Sequence, residues 1–377
     1  MAAKARARVS PPMTPKPLPL AFEALDGFVD DDALAAFVAF RDWARFACAG
    51  AAPLRAARPP SPRLMAVARA ALAAANADAG AARHFFLDHF RPWRIVSAAP
   101  DGLGLLTGYY EPLIDASPTP TPEFRAPALA RPRDLVSFAP GEGPQGFDPA
   151  LAGVRRRADG TLVPYPDRAT IEAQGGEPVA WLADAVELFF AQVQGSARLR
   201  FADGREARLV YDGRNGRPYT SIGRLLIEEG EIAESEMSLA RLKGWLRANG
   251  LAPGEKGRAI LQRNASYVFF RRVDDVDPAL GPIGGAGIAL TPLRSIAVDR
   301  TLWSYGLPFW IDAALPWRSD AASPFRRLTI AHDTGSAIVG PARADIFFGG
   351  GDAAGGRAGA VRHRGAFVVL APRGDEP

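Results

Sequence analysis

Apolar positions change their spacing twice along this chain. Between residues 30 and 90 they recur every three or four places. In DDALAAFVAFRDWARF, Leu34, Phe37, Val38 and Phe46 lie near helical spacing, with Asp31 or Asp32 placed as N-cap. SPRLMAVARAALAAANADAG opens a second helix, with Ser61 as cap, Pro62 at its first position and Gly80 as its expected end. A third runs through ARHFFLDHF and must stop before Pro92, because proline disfavours helical backbone in the residue preceding it. Residues 1 to about 20 are punctuated by proline and are expected to form a disordered tail.

From Gly104 the pattern turns to short β-like runs. LLTGYYEPLI is aromatic-rich and halts at a proline; SPTPTPEFRAPALARP is a long Pro-punctuated connection, and GTLVPYPDRATI continues in short pieces. AWLADAVELFFAQVQGSARLRFADG reads as a short helix running into a strand. ARLVYDGRNGRPYTSIGRLLIEEG reads as a strand, a turn at Asn215-Gly216 and a helix closed by Gly230, with SEMSLARLKGWLRANG as a further helix. After ASYVFFRR, strands return through SIAVDRTLW, LPFWIDAAL, RRLTIAHDTG, ADIFFG and GAFVVLAP. Helices, then β with helices, then β again predict an α+β protein with at least one barrel-like sheet.

Composition narrows the field. The 377 residues, 48% hydrophobic, suffice for two domains, and 38 Gly with 34 Pro favour many turns over a helical bundle. A net charge of +4 spread over scattered arginines is no nucleic-acid footprint, though a mildly basic surface suits an anionic polymer. Cys48, the only cysteine, rules out an intramolecular disulfide and a cysteine-based zinc cluster; on the first helix it is expected as a buried free thiol. No apolar run approaches the ~18 residues of a membrane span, and MAAKARARVSPPMTPKPLPL has no apolar core of an export signal.

Chemistry concentrates in HDTGSAIVGPARADIFFGGG. Asp333-Thr334-Gly335 resembles the loop of an aspartic peptidase, but that reaction needs two such loops sharing a proton, and PARADIFFGG is not a second copy. A metal site drawn from His332, Asp333, Asp345 and His363 fails because neighbours on a strand point to opposite faces, so no metal is expected. The glycines from Gly349 to Gly359 lack a phosphate loop's Lys-Ser/Thr ending and are expected as backbone approaching a ligand beside Asp345, with no amphipathic helix after them. Tyr109, Tyr110, Gln194, Ser196, Tyr211, Asn215, Tyr219 and Ser221 sit at strand ends or in Gly-containing loops. Their flat rings, amides and hydroxyls suit a sugar. Asp345, followed by the apolar IFFGG, has the setting of a carboxyl kept protonated to act as an acid.

Several motifs occur in order: TGYYEP (107–112), QGSARLRF (194–201), YDGRNGRPYTSIGRLLI (211–227), NASYVFFR (264–271), SIAVDR (295–300) and HDTGSAIVGPARADIFFG (332–349). Together they resemble the membrane-bound lytic murein transglycosylase A family, over roughly residues 104–370. The last third resembles the three-aspartate domain, about 286–370, whose aspartates fall on Asp299, Asp333 and Asp345. Two loops depart mildly, reading QGSA and DTGSA where the family has QGSG and DTGGA.

The resemblance implies a double-psi β-barrel built from an N-terminal helical part (21–106) and a C-terminal part (251–371). A smaller β-barrel domain (107–250) would be inserted between them, with substrate in the groove. It implies peptidoglycan glycan strands as substrate and 1,6-anhydromuramyl ends as product. Asp345 would be catalytic, Asp333 and Asp299 supporting, with no metal or organic cofactor. It implies work on the periplasmic side of a Gram-negative envelope, with or without outer-membrane association, although no lipobox is visible. An aspartic peptidase and a non-catalytic glycan-binding module are the alternatives.

Overall fold

The computed structural model describes residues 17–74, 78–138, 143–148, 151–274, 277 and 280–377. Most of the expected tail lies outside them. Its end does not behave as a tail: Leu18 and Pro19 pair antiparallel with Arg94 and Trp93. That is an edge position, where proline's missing N–H leaves no ladder bond unmade.

Six strands close on themselves. Pro308–Leu315 lies between Arg362–Pro372 and Ser323–Asp333; beyond these follow Ser295–Ala297, Arg343–Gly350 and Gly104–Glu111, which pairs back onto Arg362–Pro372. This is the double-psi β-barrel, in a mainly β molecule with flanking helices. Its strands are apolar on both faces. Phe367 and Val369 join one core with Phe309, Ile311, Ile296 and Ile346. Val368 and Leu370 join the other, with Trp310, Leu328 and Ile330, under the N-terminal helices.

Those helices, Ala33–Cys48, Pro62–Ala73 and Ala79–His89, present Phe37, Phe40, Trp43, Phe85 and Phe86 to the barrel. Asp32 caps the first, accepting from Ala35 N–H at 3.0 Å. Asp31 instead meets Arg294 at 2.7 Å in a buried ion pair that ties the helix to the barrel. Three expectations here need correction. Val38 is on the far side of this helix and exposed. Cys48 ends the helix, beyond its barrel contact, and is exposed rather than buried. Gly80 does not end the second helix, which stops at Ala73; it belongs to the third, capped by Asp78.

The middle segment forms its own six-stranded sheet, in the order Val268–Asp274, Glu206–Arg214, Ser196–Phe201, Leu113–Ser117, Pro178–Leu182, Ala126–Leu129. Its two end strands curl toward each other. A three-stranded sheet (Leu135–Ser137, Gly153–Arg156, Leu162–Pro164) stands beside it. Helices Leu239–Ala248 and Lys256–Gln262 pack on Ala185–Gln194 through Leu246, Ile260 and Phe190. Sheet membership therefore changes at Pro112 and after Asp274, not at 107 and 250. The chain passes from barrel to insert inside one continuous β pattern, so the change of texture at Gly104 marks a strand and not the domain switch. Among the described residues no helix is long and apolar enough to cross a membrane.

Candidate active site

Strand register builds the site. Thr107 pairs with Asp345, Asp345 with Ala297, and Ala297 with Asp333, so the four lie in one row across adjacent strands. Partners in register share a face of the sheet. Asp333 enters this row through a bulge: Ile296 pairs with Ala331, and His332 is the extra residue. His332 turns inward, fully buried, with Nδ1 2.8 Å from Ser295 Oγ; burial lowers its pKa to about 3, so the ring is neutral.

The two aspartates of the row differ in what holds them. Asp333 is fully committed: Oδ1 accepts from Gly285 N–H (2.7 Å) and Thr334 N–H (2.8 Å), and Oδ2 from the Tyr109 hydroxyl (2.9 Å). Asp345 Oδ1 accepts from Thr107 Oγ1 at 2.5 Å, and Thr107 in turn accepts from Arg343 Nη2 at 2.8 Å. Oδ2 has no hydrogen bond among the described residues. Burial raises the Asp345 carboxyl above the usual carboxylate range, against the pull of Arg343 and Thr107, and the Asp333 charge adds to the rise. Asp299 is different again. Its oxygens accept from Thr301 N–H (3.0 Å), Thr301 Oγ1 (2.6 Å) and Gly340 N–H (2.8 Å), which ties two loops at the groove edge.

The row opens into a groove of about 740 Å3 between barrel and insert. Of the residues expected to hold sugar, Tyr109, Gln194, Tyr211 and Tyr219 line it. Ser196 lies next to it, in a small side pocket shared with Gln194 and Tyr211. Burial, then Asp333, keeps the Tyr109 phenol far above its ordinary pKa, hence a neutral donor.

Three expected residues do other work. Tyr110 points the opposite way from Tyr109, as alternation on a strand requires, and is buried in the barrel core. Asn215 is fully buried, donating to Pro166 O (2.9 Å) and Ala265 O (2.8 Å) and accepting from Tyr267 N–H (2.9 Å). Ser221 caps the helix Ile222–Glu228 through Arg224 N–H. The glycine-rich stretch is also not a loop over the ligand. Residues Asp352–Gly359 form a helix lying flat on Gly104–Glu111, so close that a Cβ on Gly108 would fall 2.8 Å from Ala358 Cα.

The groove also holds arginines that the sequence pattern does not single out. Arg55, Arg131, Arg168, Arg214, Arg300 and Arg343 all line the groove. Arg55 stacks 4.0 Å from the Tyr211 ring centroid and donates to Thr334 O at 2.6 Å. Burial opposes its charge, but Tyr211, Asp333, Tyr305 and Tyr109 together outweigh burial and hold it above the usual arginine range. No local signal singles it out: it sits in a Pro- and Ala-rich connection among many scattered arginines.

Comparison with known proteins matches residues 105–271 to the MltA specific insert domain and residues 294–371 to the 3D domain. Membrane-bound lytic murein transglycosylase A of Escherichia coli K12 is 30% identical over 303 residues, which cover 78% of this chain and 72% of that protein. The chain belongs to the lytic murein transglycosylase A family. The Vibrio cholerae member is 31% identical over 270 residues, covering 71% of this chain; the match spans 65% of that relative, just under two thirds. The crystal structure of a membrane-bound lytic murein transglycosylase from Agrobacterium tumefaciens superimposes with a TM-score of 0.83 at 36% identity, covering 95% of this chain and 98% of that one.

Proposed function

We propose that this family member is itself a lytic transglycosylase. It would cut the β-1,4 bond between N-acetylmuramic acid and N-acetylglucosamine in peptidoglycan, with Asp345 as its one acid and base. The relatives' names supply the reaction class. The observation that carries the residue assignment is the contrast among the three aspartates: Asp345 has an oxygen without a hydrogen bond among the described residues and a raised pKa, whereas Asp333 in the same row and Asp299 at the groove edge have their oxygens spent on the fold.

In this reading Asp345 donates its proton to the glycosidic oxygen as the C1–O4 bond breaks, releasing N-acetylglucosamine. The ionised carboxylate then takes the proton from the muramyl O6 as that oxygen closes on C1. The product is a 1,6-anhydromuramyl end, and Asp345 is protonated again. The nucleophile is held within the same sugar, so no second carboxylate is needed to activate water. Tyr109, Gln194, Tyr211 and Tyr219 offer the ring faces and polar groups of the sugar groove. A peptidase would need Asp333 to share a proton with a partner aspartate, and its oxygens are already committed to three donors.

A peptidoglycan substrate supports work on the periplasmic side of a Gram-negative envelope, with outer-membrane association as the finer expectation. Mass spectrometry of purified sacculi after incubation tests the reaction, because an anhydro end is lighter than a reducing end by one water. Soluble fragments carrying anhydro ends are expected; only reducing ends, or cleaved peptide bonds, would refute it.

A further inference from the structure

Among the described residues, three guanidinium groups in the groove donate to at most one backbone carbonyl each. Arg55 comes from the loop after the first helix, Arg214 from the end of the insert strand Glu206–Arg214, and Arg300 from the barrel loop after Asp299. All three are half-buried and line the same groove. Arg55 and Arg300 are fastened by carbonyls: Arg55 donates to Thr334 O, and Arg300 Nη1 to Ala56 O at 3.1 Å, so Arg300 lies against the Arg55 loop. Among the described residues no carboxylate comes within ion-pair distance of the three. Burial lowers the pKa of Arg214 and of Arg300, and repulsion from Arg55 adds to the lowering in each. The other groove arginines hold more partners: Arg131 donates to Asp212 O, Leu135 O and Ser137 Oγ, Arg168 to Asn264 O and Ser266 O with Glu172 3.5 Å away, and Arg343 to Ala344 O and Thr107 Oγ1.

Like charges gathered out of water are costly unless an opposite charge joins them. Planar guanidinium forks match a carboxylate through two parallel hydrogen bonds. Hydroxyls and amides of a neutral sugar can accept from these groups but leave their charge without a counter-charge.

We propose that Arg55, Arg214 and Arg300 form a carboxylate-binding subsite that holds an acidic substituent of the muramyl residue while the sugar lies across Tyr109 and Tyr211. The identity of the ligand rests on the peptidoglycan reading; the anion site does not. Two sources carry the same chemistry. One is the lactyl carboxylate of a peptide-free muramyl residue, the other a carboxylate of the attached stem peptide.

The test is calorimetric binding to the full chain of three probes: the N-acetylglucosaminyl–N-acetylmuramic acid disaccharide, the same disaccharide with its lactyl carboxyl amidated, and the disaccharide bearing a tetrapeptide stem. The parent protein should bind at least one acidic probe ~10-fold or more tightly than the neutral amide, the scale of a charged hydrogen bond. Arg214→Gln and Arg300→Gln should each erode that preference by weakening the acidic probe more than the amide. Preference for the free lactyl acid identifies the sugar's own carboxylate; preference for the tetrapeptide alone identifies the stem. The subsite is refuted if the parent shows no preference, or if the variants weaken neutral and acidic probes alike. Sacculus digestion separates this from the reaction itself. Anhydro products without acid preference would sink the subsite alone, and acid preference without anhydro products would sink the reaction alone.

Discussion

Asp345 stands between two pushes, burial and the Asp333 charge, and two pulls, and the pulls can be removed. Burial raises its pKa, while Arg343 and the Thr107 hydroxyl lower it. A general acid must be protonated in the free enzyme, so kcat/KM falls as pH rises through that pKa. Arg343→Gln or Thr107→Val deletes a downward pull, and the high-pH limb of the profile should move to higher pH; a limb fixed in both variants would contradict the assignment. The same shift has a stability consequence. The folded carboxyl binds its proton more tightly than the unfolded one, so the ionised form costs stability at neutral pH, and the cost fades as pH falls. Asp345→Asn should therefore melt above the parent at pH 7 by a margin that closes on acidification, as followed by thermal unfolding. At this scale the sequence was half legible. Asp345 has apolar neighbours, but the family resemblance is what marks it among 41 acidic residues, and Tyr110, Asn215 and Ser221 share the residue types of a sugar site while serving core, buried turn and helix cap. Only strand phase separates Tyr109 from Tyr110, and a run of two tyrosines does not show which one faces out.

Elements place these side chains through register. The bulge at His332 turns Asp333 into the row with Asp345, and no residue in RRLTIAHDTG announces it. The helix Asp352–Gly359 was hidden for a related reason: its glycines argue against a helix, and the gain comes from lying flat on a neighbouring strand. Gly108 tests that packing. A side chain there would collide with the backbone of Ala358, 2.8 Å from Cα and 2.9 Å from its carbonyl oxygen, which cannot swing away. Gly108→Val should cost about 3 kcal/mol and lower the melting temperature; an unchanged melting curve would show that the helix does not press on this strand. Caps and turns were legible where their chemistry is local, as at Asp32, Ser61 and Gly230.

For the whole molecule, the order of helices, mixed segment and strands was enough for an α+β protein with a barrel. Which strands close the ring was not, because ring closure joins Gly104–Glu111 to Arg362–Pro372 across most of the chain. The seam between barrel and insert carries a buried charge cluster. Glu111, 1% exposed at the last barrel residue before the insert, has Arg208 Nε 2.6 Å from Oε1 and Arg198 3.5 Å from Oε2. Burial pushes the Glu111 carboxyl up, against Arg208 and then Arg198. Arg208→Leu leaves that carboxylate buried with its main partner gone, at a cost of about 3–5 kcal/mol. The loss should shrink as pH falls and the carboxyl takes a proton; an equal loss at every pH would mean that Arg208 acts by packing alone. The central claim, that one carboxyl in this groove performs the reaction, meets its most direct test on intact sacculi with Asp345→Asn. The variant keeps the size and the groove, so it should fold and still bind sacculi, with release of anhydromuropeptides reduced by at least ~100-fold. A folded Asp345→Asn protein releasing them near the parent rate would contradict the account.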